Sequence, residues 1–235
     1  MKIFKNKKLT ICYTLLILMF ILMGNSNNNP SPYIERIFKP INFDDGTFYY
    51  STIIVMVVVY YCLKLINNEK EKNFINSFIS RIIVAVIFIS GSVWLNTYCT
   101  KFYKSFSHNL NSIYMNRDET SVDFDIEEKK LSLNGKISIL NCSNEVQEFS
   151  IKIKSPSYMK KHIGKDYVVL KNKVRIYPRE ERNLYINEQF DFDIKDEGSG
   201  YSGEAFEYIL FDDDEENIVF KGSVDDYFVD EMDWS

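Results

Sequence analysis

The sequence predicts a membrane α plus all-β chain, with three transmembrane helices followed by an antiparallel β-sandwich domain. Three observations lead there. Three long apolar stretches fall within the first hundred of 235 residues. Charge divides between the halves: residues 1–100 hold ten Lys/Arg against five Asp/Glu, and residues 101–235 hold eighteen against twenty-eight, so +5 and −10 make up the chain's −5. From Ser121 onward, apolar residues recur with a period of two rather than a helical one. Aromatic residues at 15% exclude a collagen-like or wholly disordered chain. The acidic second half would repel phosphate, which argues against a nucleic-acid partner.

The first apolar stretch runs from Leu9 to Gly24, the second from about Phe48 to Ile66, and the third from about Ile82 to Tyr98. A bilayer core takes about 20 apolar residues. The second and third meet that length, and Lys64 lies near enough to an end to reach the headgroups. The first is short. It reads as a retained helix. Lys2, Lys5, Lys7 and Lys8 ahead of it, with small residues at Gly24-Asn25-Ser26, equally suit a cleaved signal peptide. Both readings place the later segments on the same sides.

Positive charge near the spans gives the expected orientation. The N-terminal tail and the segment around 64–81 hold eight Lys/Arg, and the other two flanks hold five (Arg36, Lys39, Lys101, Lys104 and Arg117). The expectation is a multi-pass cell-membrane protein with a cytoplasmic N-terminus and the acidic domain outside. Phe48, Tyr49, Tyr50, Trp94 and Tyr98 mark span limits, as interfacial aromatics do.

Beyond the third span, Tyr103, Phe106, Leu110 and Ile113 follow at spacings of 3, 4 and 3. This is the seam of a helix. One continuous helix from Ile82 to about Tyr114 would join membrane to domain, its seam facing a second copy or a partner helix; the alternative is that Phe102–Asn116 is a short amphipathic helix lying on the membrane or on its own domain. The organisation expected is a membrane region over residues 1–100, a helical stalk or juxtamembrane linker over 101–117, and an acidic β domain over 118–235.

In that domain, Val122, Phe124 and Ile126 alternate with charged residues. Leu131 and Leu133 precede Asn134-Gly135, a tight-turn signal, and Ile137 and Ile139 follow. Phe149, Ile151 and Ile153 alternate next. Tyr167–Leu170 and Val174–Tyr177 flank a Lys-Asn-Lys turn. Leu184, Ile186, Phe190, Phe192 and Ile194 share one parity, and Phe206–Phe211 and Ile218–Phe220 flank an acidic run. About eight short strands over roughly 100 residues suit an immunoglobulin-like sandwich. The Cys…Trp…Cys pattern is absent, so the architecture is expected without family membership.

Chemistry-bearing motifs are sparse. The four cysteines show no CxxC spacing, and Cys142, the only one in the β domain, reads as a buried apolar residue. Asn141-Cys142-Ser143 matches a glycosylation acceptor by chance. The run Asp212, Asp213, Asp214, Glu215 and Glu216 offers hard oxygens to Ca²⁺ but lacks the Gly and Glu of an EF-hand, so it reads first as a solvated hairpin tip. His108 and His162 have no metal-ligand spacing. Gly198–Gly203 lacks the Lys of a phosphate loop. Tyr158, Met159, Lys160, Lys161 and Lys165 form a basic-aromatic loop that reads first as solvated, with contact to anionic lipid as the alternative if it faces the bilayer.

The functional expectation is a non-enzymatic integral membrane protein, with no cofactor, that displays an extracytoplasmic β-sandwich interaction module. Its partners would be the bilayer and a protein or a second copy, and it would suit an accessory subunit of a membrane complex. The alternatives are a small transporter or channel component, for which only Ser90, Ser92 and Asn96 appear mid-to-late in the third stretch and Lys64 near an end of the second, and a membrane-surface enzyme.

Overall fold

The structure, a computed structural model, describes residues 7–43, 46–69, 78–127, 130–156, 160, 163–191, 201–203, 206–213 and 216–222. The chain forms two compact units. One comprises Met1–Ser26 and Ser31–Cys99, and the other comprises Asn27–Pro30 and Thr100–Ser235.

The first unit is helical. It contains α1 (Lys7–Leu22), α2 (Tyr33–Ile37), a hairpin of β1 (Ile41–Phe43) and β2 (Gly46–Phe48), then α3 (Ser51–Glu69) and most of α4 (Phe78–Lys104). Ile34, Val55, Val59 and Ala85 form its buried centre, and Leu16, Met19, Phe38 and Phe88 pack around them. Phe20 meets Phe88 edge-on at 6.4 Å. Among the described residues, two helices are long and apolar enough to cross a membrane, Ser51–Asn68 at mean hydropathy 1.5 and Ile79–Lys104 at 1.8. This corrects the expectation of three. α1 has 16 residues, a rise of about 24 Å where hydrocarbon takes about 30 Å.

The second unit is made of antiparallel strands. A 3₁₀ turn (Asn109–Ser112) leads into β3 (Ile113–Glu127), β4 (Lys130–Asn141), β5 (Gln147–Lys154), β6 (Tyr167–Val169), β7 (Val174–Ile176), β8 (Glu181–Asp191), β9 (Tyr201–Gly203), β10 (Tyr208–Phe211) and β11 (Asn217–Phe220). One open sheet has the order β8-β4-β3-β9. The other has the order β11-β10-β5-β6, with β7 also on β5. Inward side chains of both join one core: Val122, Phe124, Leu133 and Ile137 from the first sheet, and Ile151, Tyr208 and Phe220 from the second. Phe124 meets Phe206 edge-on at 5.1 Å within it.

The period-two runs become strands because alternate residues face one side of a pleat. The Asn134-Gly135 expectation fails. β4 runs through both residues, which pair with Asp123 and Val122 on one side and with Asn187 and Ile186 on the other. Leu131, Leu133, Gly135, Ile137 and Ile139 keep one parity, so no turn is needed between them. The glycine serves a close approach instead. Opposite it, β3 bulges: from Asn116 to Ser121 it advances five residues while β4 goes from Ser138 to Lys136. The Thr120 hydroxyl closes the bulge, donating to the Asn116 carbonyl at 2.7 Å and accepting from the Ser138 N–H at 3.1 Å.

A Cβ at Gly135 would lie 2.3 Å from the Ser121 carbonyl oxygen and 2.8 Å from the Val122 Cα, at a φ of +153°. Both obstacles are backbone and cannot rotate away. Gly135→Ala is therefore expected to destabilise the β unit by more than the usual change on an exposed strand, about 2 kcal/mol or more. Thermal unfolding in lipid nanodiscs would read this as a lowered midpoint, with Lys136→Ala as a control that shifts it little.

Candidate functional site

Two places in the β unit gather polar side chains. The first is an open cleft of about 220 Å³ lined by Glu148, Phe149, Ser150, Lys173, Phe211, Asp212 and Asp213. It lies where β5 and the residue before β7 meet the end of β10. Lys173 Nζ donates to both carboxylate oxygens of Asp213, at 2.8 and 2.6 Å. That hydrogen bond raises the ammonium's pKa. Asp212 holds the hairpin turn instead: its Oδ1 accepts the Glu216 N–H at 2.9 Å. Glu216 Oε1 accepts from Asn109 Nδ2 at 2.7 Å. The three described carboxylates of the acidic run thus point to three different tasks. Asp214 and Glu215 lie outside the described residues. Among the described residues, no group of three or more His, Cys, Asp or Glu is placed to hold a metal ion.

The second place is a buried polar joint, and spacing gave no sign of it. Asn27–Pro30, separated by about seventy residues from the rest of its unit, is stitched into the β unit. Asn27 Nδ2 donates to the Met115 carbonyl and Asn27 Oδ1 accepts the Met115 N–H, both at 2.8 Å. The Lys221 N–H donates to the Asn28 carbonyl at 2.8 Å. Lys104 is buried beside them. Its Nζ donates to Asn28 Oδ1 at 3.3 Å and to the Asn111 carbonyl at 3.0 Å, and lies 5.6 Å from the Phe220 ring centre. A buried ammonium is costly unless hydrogen-bonded, so this geometry fixes where α4 ends. The sequence signal for the clip was only the Asn-rich run Asn25–Asn29, which composition marks as a loop.

Cys142 lies in the same region and is buried. Burial pushes its thiol pKa up, opposed by Lys104, Lys101 and Arg179. Asn141, the formal glycan acceptor, is fully buried. Its Nδ2 donates to the Glu145 carbonyl at 2.7 Å and to the Tyr177 carbonyl at 3.1 Å, and its Oδ1 accepts the Ser143 N–H at 3.0 Å. Both amide hydrogens are committed, so the residue is a loop organiser.

The four seam residues separate. α4 ends at Lys104, a 3₁₀ turn follows, and β3 begins at Ile113. Leu110 and Ile113 are buried in the β core, whereas Tyr103 and Phe106 are exposed. No continuous helix reaches Tyr114, because the buried Lys104 contacts stop it and Asn109 takes a positive φ of 53°. In the third apolar stretch, Ser92 Oγ donates to the Phe88 carbonyl at 2.7 Å, and Asn96 Nδ2 donates to the Asn25 carbonyl at 3.2 Å. His162, Tyr158, Met159, Lys161, Phe192, Ile194 and Glu197–Gly200 lie outside the described residues.

No family model, curated protein or solved structure matches this chain.

Asn27→Ala removes both bonds to Met115, whose backbone is buried. Each buried group left unpaired costs about 1–3 kcal/mol. A lowered unfolding midpoint and faster proteolysis near Asn27–Pro30 are the expected results. An unchanged midpoint would mean that the clip does not hold the β unit.

Proposed function

We propose that this chain is a non-enzymatic integral membrane protein that displays its β unit outside the cytoplasm as an interaction module. The observation that carries the reading is the double attachment of that unit. The chain passes through it at Asn27–Pro30, leaves for about seventy residues, and returns at Thr100. Among the described helices, two are long and apolar enough to cross a bilayer: Ser51–Asn68 lies in that interval, and Ile79–Lys104 runs from it into the β unit. If both cross, the chain goes over once and comes back, so the clip and the returning chain lie on one side. This agrees with the charge count, which sets the segment between the two helices on the more positive, cytoplasmic side.

In this reading the module is an immunoglobulin-like sandwich. Strand pairing supports it. β3, β4 and β8 pair in the order of the first, second and fifth strands of an immunoglobulin constant domain, and β5, β10 and β11 pair as its third, sixth and seventh. There are two departures: β9 adds to the outer edge of β3, and the strands between β5 and β8 pair differently. There the immunoglobulin fourth strand pairs with the fifth, whereas β6 and β7 pair with β5. Binding surfaces in such folds are loops and edges on a rigid core. The cleft beside Lys173 and Asp213, and the exposed Tyr185 on edge strand β8, are the surfaces offered to a partner.

Two measurements test this. A tag placed after Ser235 is expected to be reached by antibody and protease in intact cells; access only after permeabilisation would invert the orientation. A photo-crosslinking residue in place of Tyr185 is expected to yield a discrete protein adduct in living cells, reduced by Gly135→Ala in proportion to the fraction of β unit that it unfolds. The absence of any adduct from Tyr185 and from Ser150 would overturn the interaction reading.

A further inference from the structure

We propose that the β1–β2 hairpin is an interfacial finger that lies on the bilayer surface at the start of α3, its occupant being the headgroup–acyl boundary of the membrane. The inference rests on the reading that α3 and α4 cross that membrane.

The hairpin presents one apolar face. Ile41 pairs directly with Phe48. Directly paired residues share a face, and so do residues two apart on a strand, which puts Phe43 beside them. Phe43 pairs with Gly46, which has no side chain to cover it. All three are exposed, Phe43 at 63% and Ile41 and Phe48 at 48% each. A single two-stranded hairpin is marginal at best in water unless its apolar face is packed against something. This one belongs to a sheet of only two strands and leaves that face open.

Position names the cover. The apolar run Ser51–Asn68 has 18 residues, a rise of about 27 Å against a hydrocarbon core of about 30 Å. Nothing is spare, so Ser51 must sit at the hydrocarbon boundary. Phe48 is three residues away, at most about 11 Å of chain. The hairpin is therefore held at headgroup depth. α2 holds it there: Ile34 is buried against the helices, and the Phe38 ring meets Tyr50 edge-on at 6.4 Å.

The residue beside the finger suits that depth: Tyr49 is exposed next to Phe48, as tyrosines are at the membrane–water boundary. The exposed face runs along the hairpin from the Ile41–Phe48 pair to Phe43, so burying all three side chains at once lays the finger flat, apolar face down.

The test uses the full chain in vesicles, with Phe43→Trp as a single fluorophore in a Trp94→Phe, Trp234→Phe background. A second protein keeps Trp94 alone. Lipids brominated close to the headgroup are expected to quench the probe at position 43 more strongly than lipids brominated deep in the chains, and its emission is expected to shift to the blue of indole in water. Quenching by iodide instead, with no effect of brominated lipid, would overturn the finger. Blue emission that depends on protein-to-lipid ratio would replace lipid with a second copy and overturn it too. Trp94 separates the premises: if brominated lipid fails to quench Trp94, the membrane crossing itself fails. If Trp94 is quenched and position 43 is not, only the finger fails.

Discussion

One asparagine side chain paired with one backbone residue closes the path of this chain. Asn27 offers Met115 an acceptor and a donor, as a neighbouring strand would. Because Met115 is fully buried, neither of its groups has water as a substitute. The pairing makes everything between Pro30 and Thr100 an excursion from a folded unit that begins and ends in the same place.

The end of α4 follows from the same region. Lys104 is at once the last helical residue and a buried donor to Asn28 and Asn111. Continuing the helix would carry the Asn111 carbonyl away from the Lys104 ammonium. The turn that replaces it delivers Leu110 and Ile113 to the β core. A helix seam and a helix-to-strand junction share the same apolar spacing over four residues, which is why 103, 106, 110 and 113 could be read as a stalk. A periodicity that short does not distinguish them; the burial of one lysine does.

The bulge in β3 and Gly135 in β4 form a second matched pair. β3 takes in extra residues, Thr120 seals them, and the facing strand gives up a side chain to make room. Asn-Gly is a turn signal because glycine tolerates positive φ and asparagine helps. The same freedom serves a strand where another backbone crowds it. The uninterrupted parity from Leu131 to Ile139 was already present and favoured one strand over two.

By itself, the sequence determined the class of each part: apolar runs too long for loops, then alternation that only a half-buried sheet satisfies. It also located β10, β11 and the acidic tip between them, where period-two apolar residues flank charges. Those features are local, and local patterns set secondary structure. Tertiary structure decided which strands pair, that Asn27–Pro30 belongs to the β unit, that α4 stops at Lys104, and that Asn141 organises a loop. Each depends on a partner tens of residues away. Hydrogen bonds and backbone contacts of that kind leave no period in the chain, so only the folded geometry makes them visible.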